Sequence, residues 1–167
     1  MARQTPASPA PAETVTDDVP WLTVEQQRHW RAVITGTSRL TDALGHQLER
    51  DAGLSLSEYE ILVRLSERED RTMRMSELAA AVVHSRSRLT HAVGRLEKRG
   101  LVERRPCPDD RRGVNCAMSD DGYAVLAAAA PGHVRAVRAH LVDLLTDEEF
   151  AALGAAMAKL APDAVEN

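Results

Sequence analysis

The sequence has little that would serve chemistry. It holds two cysteines, Cys107 and Cys116, too few for a disulfide framework. Aromatics make up 3% of the chain, so the core must come from Leu, Val and Ala, a composition that suits helices. No apolar run reaches the roughly 18 residues of a membrane-spanning helix. The N-terminus lacks a signal-peptide core. These absences predict a soluble, cytoplasmic protein without a membrane partner. There is no His-Glu-x-x-His motif, no Cys/His cluster, no glycine-rich phosphate loop and no nucleophile elbow. No metal, cofactor or catalytic centre is therefore expected, and the chain does not read as an enzyme. His133 and His140 are seven apart on one helix face, which alone is weak support for a metal. Lysine is scarce as well. The 2 lysines against 19 arginines read as a GC-rich coding bias, though arginine also suits phosphate contacts.

What is present centres on residues 76–113. Ser76 is a plausible helix cap, and Leu78, Ala79, Val82 and Val83 form one apolar face. His84 and Ser85 break the pattern, and Ser85 or Ser87 can cap a second helix. There Leu89, Val93 and Leu96 recur at core spacing. Arg86, Ser87, Arg88, Thr90, His91 and Arg95 fall on the other side. Gly100 stops this helix as a left-handed cap. Val102 onwards forms a strand, Pro106 to Gly113 a turn crowded with Asp and Arg, and Val114 to Met118 the return strand. Two short helices in tandem, the second rich in Arg and hydroxyls, match a helix-turn-helix, whose second helix suits a major groove about 12 Å wide. The basic hairpin is then a wing, able to send an arginine into a narrow minor groove. From Arg86 to Arg112 the chain carries a net +5 although the whole carries −4, so the remainder carries −9. That asymmetry fits a nucleic-acid reader with a separate body.

At 167 residues, 44% of them hydrophobic, the chain is one domain or one compact protomer. Residues 1–20 are rich in Pro, Ala, Ser and Thr and read as a disordered tail. Thr23 and Gln26 open a long helix, about residues 24–50, with a stripe through Trp30, Val33, Ile34, Leu40, Leu44 and Leu48. A stripe so long needs a partner, and a second subunit is a natural one. Ser55 and Glu58 cap a short helix over 56–67, and Thr72–Met75 is a single strand able to join the wing sheet. Ser119 or Asp120 starts a helix expected to reach Leu145 through Tyr123 and Leu126, bent at Pro131. Thr146 and Glu149 cap a last helix with a stripe through Phe150, Leu153, Met157 and Leu160. Pairing Val102 with Met118 would leave Cys107 about three positions out of register with Cys116, too far for a disulfide.

The fold class is thus mainly α (α+β): a winged helix-turn-helix with long N- and C-terminal dimerisation helices. The divisions are a tail at 1–20, a dimerisation helix at 21–52, a winged domain at 53–118 and C-terminal dimerisation helices at 119–162. A two-fold dimer would set two recognition helices about 34 Å apart, one turn of DNA.

The segments LSEYEILVRLSE (56–67), MSELAAAVVHSRSRLTHAVGRLEKRGLVER (75–104) and PDDRRG (108–113) resemble the MarR family of bacterial transcriptional regulators. The likeness covers about residues 21–160. The family's wing pattern is matched by Asp110, Arg112, Met118 and Ser119, with Met-Ser standing for Leu-Thr. The resemblance implies a homodimer on a palindromic operator, often a repressor of a neighbouring gene released by a small phenolic or lipophilic effector. It gives Arg112 the minor groove, with Arg111 beside it, and Asp110 the task of holding the wing arginines. It places an effector at the junction of the dimer helices and the winged domain, where Trp30, Arg39, Tyr59 and His133 suit an aromatic acid. Trp30 and Tyr59 also fit as core, and Arg39 and His133 as surface. Two other readings are a cysteine-based redox sensor and a sequence-indifferent DNA-coating protein. The family's peroxide sensors carry a cysteine in the first helix, where this chain has none. Cys107, with arginines around it, would have to serve, and its simpler role is a small apolar wing residue.

Overall fold

A computed structural model describes residues 19–82, 86–107 and 110–160. The expectations for the tail up to residue 18, for Val83, His84 and Ser85, for the wing residues 108 and 109, and for the chain after 160 lie outside these. The order is α1 (Val24–Ala52), α2 (Leu56–Ser66), β1 (Thr72–Arg74), α3 (Met75–Ala81), α4 (Arg86–Lys98), β2 (Val102–Cys107), β3 (Asp110–Met118), α5 (Asp120–His140), a 3-10 turn (Val142–Leu144) and α6 (Asp147–Leu160). The fold class is as expected: mainly helical, with a small winged sheet.

Three helix starts follow from reciprocal caps. Thr23 and Gln26 exchange bonds of 2.8 and 3.1 Å, and Thr146 and Glu149 bonds of 2.9 and 3.2 Å. Ser55 and Glu58 do the same at α2. Ser119 caps α5 by accepting from the Gly122 N–H at 3.0 Å. Gly100, at φ +71°, closes α4: its own N–H reaches the Glu97 carbonyl and the Leu101 N–H reaches Leu96. That pair of hydrogen bonds needs the left-handed conformation glycine adopts without strain.

One cap differs from expectation. α3 starts at Met75, directly off β1, with Arg74 at its N-cap position and no side-chain cap bond. Ser76 lies inside the helix, because strand passes to helix without a linker in which it could cap. Of the two serines expected as caps for α4, Ser87 lies inside the helix, which is described from Arg86, and Ser85 lies outside the described residues. A second difference is at α5. The helix passes through Pro131 but ends at His140, with Leu141 at φ −142°, ψ −67°. Arg138 and Asp143 form an ion pair across the break.

The sheet has the order β1-β3-β2, all antiparallel. Val102 pairs with Met118 as the pattern predicts. Near the tip the register jumps. Pro106 lies opposite Val114 but Cys107 lies opposite Asp110, so residues 111–113 bulge out of the ladder. Cys107 and Cys116 are both free thiols and buried. β1 pairs Met73 with Cys116, so the strand preceding the helix-turn-helix is the third strand of the wing sheet.

Two compact units divide at Thr35 and Gly36. The second unit holds the core: Leu48, Leu54, Ile61, Leu62, Leu65, Leu78, Leu89, Val93 and Leu96 are all at most 2% exposed. In the first unit, the stripe residues Trp30, Val33 and Ile34 are about half exposed, at 57%, 47% and 49%. α6 buries none of its residues, and Leu144, Phe150, Met157 and Leu160 are exposed.

Candidate nucleic-acid interface

α4 divides its residues cleanly. Leu89, Ala92, Val93 and Leu96 are buried in the core. Ser87, Arg88, Thr90, His91 and Arg95 are exposed. The 3.6-residue period produces both faces at once. Arg86 is the first residue of α4, and Arg111 and Arg112 fall in the three-residue bulge of β3. The sequence-predicted set is thus carried by one helix and one hairpin that share a core.

Arg95 has a more definite role than the pattern gave it. Its Nε donates to Glu58 Oε1 at 2.8 Å. Glu58, buried on α2, also accepts at Oε2 from the Ser55 N–H and hydroxyl at 2.8 and 2.9 Å. Burial alone would raise the Glu58 pKa. The Ser55 N–H, the Arg95 guanidinium and the Ser55 hydroxyl outweigh it and hold the carboxyl below its ordinary value. One carboxylate therefore caps α2 and fixes α4 against it. The capping box was legible in the sequence; the second partner, 37 residues away, was not.

Two more arginines are matched at the wing base. Arg104 pairs with Glu97 and Arg105 with Glu103. Asp110 accepts from Arg74 Nη1 at 3.4 Å, a partner outside the wing that the sequence did not suggest. Glycine is required at 122. A Cβ there would lie 2.1 Å from the Leu101 carbonyl oxygen, so α5 seats on the turn between α4 and β2 with no room for a methyl. Arg71, at φ +52°, lies with its guanidinium carbon 4.0 Å from the centre of the Tyr123 ring and pairs with Asp120 at 3.1 Å. That stacking, more than core burial, accounts for Tyr123, which is 44% exposed.

Of the four residues expected at an effector site, Tyr59 and His133 come together, with ring centroids 4.4 Å apart. His133 Nδ1 lies 3.3 Å from Gln47 Oε1, and Gln47 Nε2 donates to Asp51 at 3.0 Å. Tyr59 is buried in the core. Arg39 is exposed on α1, and Trp30 belongs to the unit that ends at Thr35. Burial lowers the His133 pKa below its ordinary 6.5, with the Glu60 charge opposing it. A lowered folded value means that the unfolded chain binds the proton first. Stability from this site is thus complete above about pH 6.5 and is lost as pH falls from there through the folded value. Thermal melts from about pH 7.5 to about pH 5.5 should show the wild type losing more stability than His133→Phe, which keeps the ring but not the proton. Parallel losses would remove His133 from the account.

A helix-turn-helix followed by a two-stranded wing, whose sheet takes its third strand from β1 ahead of the motif, defines the class: a winged helix-turn-helix protein. Comparison with known proteins gives the family. Residues 54–114, from the start of α2 through the wing bulge, match the MarR family. The chain is 30% identical over 115 residues to the HTH-type transcriptional regulator PecS of Dickeya dadantii, covering 68% of this chain and 69% of PecS. It is similar to Sco3205, a MarR family transcriptional regulator from Streptomyces coelicolor solved in complex with DNA. That match has a TM-score of 0.83 and 47% identity over 87% of this chain and 91% of that one. AbsC, another MarR family regulator from Streptomyces coelicolor, superposes with a TM-score of 0.81 at 40% identity, over 86% of this chain and 97% of its own. The chain belongs to the MarR family of winged helix-turn-helix transcriptional regulators.

Proposed function

We propose that this protein is a homodimeric, sequence-specific DNA-binding repressor of a neighbouring gene. In this reading it acts on a palindromic operator in the cytoplasm and is released by a small aromatic acid. The observation that carries the reading is the division of α4. Its apolar residues are all in the core, while Ser87, Arg88, Thr90 and His91 stay exposed beside a hairpin whose bulge holds Arg111 and Arg112. Arg86, Ser87, Arg88, Thr90 and His91 would contact bases and phosphates in the major groove. Arg111 and Arg112 would serve the minor groove, with Asp110 bracing the wing. Arg95, tied to Glu58, would act chiefly by holding α4 at its angle. Sco3205, 47% identical, was solved in complex with DNA, which supports DNA binding by this chain.

The dimer is supported by large apolar residues left exposed in one chain: Trp30, Val33 and Ile34 on α1, and Leu144, Phe150, Met157 and Leu160 in the 3-10 turn and α6. In this reading residues 21–52 and 119–162 assemble the dimer and residues 53–118 bind DNA. Among the described residues no helix is long and apolar enough to cross a membrane. The effector arm rests on the Tyr59–His133 aromatic pair, with Arg39 as the cation. A redox mechanism has less support. Both thiols are buried, and burial pushes Cys116 up to about 12, which disfavours the reactive thiolate.

The test is competition. A duplex enriched from a randomised pool, and the DNA beside the protein's own coding sequence, should each outcompete random DNA by about a thousandfold or more. Affinity equal to that for random DNA would favour a coating protein. Salicylate-like acids at millimolar concentration should then release the specific complex, and less so in Arg39→Ala. No release by any aromatic acid would remove the effector from the reading.

A further inference from the structure

The wing is held by a residue that does not belong to it. Arg74 is the last residue of β1 and occupies the N-cap position of α3, where the helix-turn-helix begins. Its backbone lies opposite Asn115 in the sheet. Its side chain runs to the wing and divides there. Nη1 donates to Asp110 Oδ2 at 3.4 Å and Nη2 to Cys107 Sγ at 3.3 Å. Asp110 and Cys107 are the cross-strand pair that closes the bulge, the last rung after the register jumps by three residues. Space inside the bulge is tight. A Cβ on Gly113 would meet Cys107 Cβ at 2.9 Å and the Asp110 carboxylate at 3.1 Å.

We infer that Arg74 is a positioning residue for DNA binding. By gripping both residues that close the bulge, it sets the course of the backbone that carries Arg111 and Arg112, and it ties that course to α3. Residues 111–113 have no partner in the register of the ladder to fix their pitch. The planar, forked guanidinium can hold two acceptors in fixed relation, whereas lysine offers a single flexible point charge. The pair with Asp110 is about two-fifths exposed on each side, at 41% and 42%, so it contributes little to global stability. Its effect is therefore expected in binding more than in folding. This inference rests on the wing reading given above and goes beyond it, because it assigns Arg74 a part that acts through Asp110 and Cys107.

The experiment is a thermodynamic cycle between the protein and the operator's flanks. Two duplexes are used: the enriched operator, and the same duplex trimmed so that the minor groove under each wing is missing. Wild type should lose about tenfold in affinity on trimming. Arg74→Met, similar in length but without donors, should lose about tenfold on the full duplex and then be indifferent to trimming, since the contact it misplaces is already absent. Arg74→Lys should fall between the two. Thermal melting should leave both variants near the wild type; if Arg74→Met does not fold, the cycle is read with Arg74→Lys. Wild-type affinity for the full duplex in the variant would overturn the inference. So would equal losses on both duplexes, which would mean general damage. A wild type that does not respond to trimming would instead overturn the wing reading.

Discussion

Arg112→Ala should lower affinity for the specific duplex by roughly tenfold to a hundredfold while the protein remains folded. The estimate follows from a lost groove contact, worth about 1–3 kcal/mol. The backbone of Arg112 lies in the bulge of β3, and the core is built from other residues, chief among them Leu, Ile and Val of α1, α2, α3 and α4. Arg88→Ala, on the exposed face of α4, should cost a similar factor. The two changes should differ in kind. A lost phosphate contact lowers the salt slope by about 0.9 and weakens random and specific DNA alike. A lost base or groove contact weakens the specific duplex alone. Arg95→Ala gives a third pattern: it should lower thermal stability as well as affinity, because it leaves the buried Glu58 without its counter-charge. Unchanged operator affinity in Arg112→Ala at moderate salt would count against the wing's part in binding.

The largest effect on stability is expected from one methyl group. Gly122→Ala would put a carbon 2.1 Å from the Leu101 carbonyl oxygen, against backbone and not a flexible side chain. That carbonyl cannot move freely, since it accepts from the Ser119 N–H at 3.1 Å, and Ser119 Oγ in turn donates to the Gly100 carbonyl at 2.7 Å. The first turn of α5 would have to lift off the α4–β2 turn. Overpacking of this severity costs about 3 kcal/mol or more, which lowers the melting temperature by roughly 6–12 °C for a chain of this size. Gly94→Ala is the matched control. It lies in mid-helix on α4, where a Cβ would meet nothing within 4 Å. There the higher helix propensity of alanine should stabilise the protein by about 0.5–1 kcal/mol. Melting temperatures that move in the same direction for both would refute the account of α5 seating.

Elements governed by local rules could be read from the sequence. The caps at Thr23, Ser55, Ser119 and Thr146 each depend on residues three apart, and the structure forms all four. The Val102–Met118 register followed from a hairpin with apolar ends. The exposed face of α4 followed from its period. What could not be read depends on pairs distant in sequence. Nothing near Arg95 points to Glu58, and nothing near Arg74 points to Asp110 and Cys107. Arg104 and Arg105 counted as basic surface, although Glu97 and Glu103 match them in place. The end of α5 at His140 carries no glycine or proline to announce it. The left-handed Arg71 is equally silent, because arginine seldom adopts that conformation. At the proposed effector site, Trp30 and Tyr59 lie on apolar stripes of their helices, whereas Arg39 and His133 have only their chemistry to recommend them, and nothing near His133 points to Tyr59.

A hydroxyl-radical footprint on an enriched duplex tests the central claim most directly, with the bound stoichiometry measured by light scattering. The account predicts two protein chains of 18.3 kDa per duplex. It also predicts two protected major-groove stretches on one face of the DNA, centred about 34 Å apart, each with a protected minor-groove patch on its outer side where a wing would lie. A single bound chain, or protection spread evenly along the duplex, would contradict it.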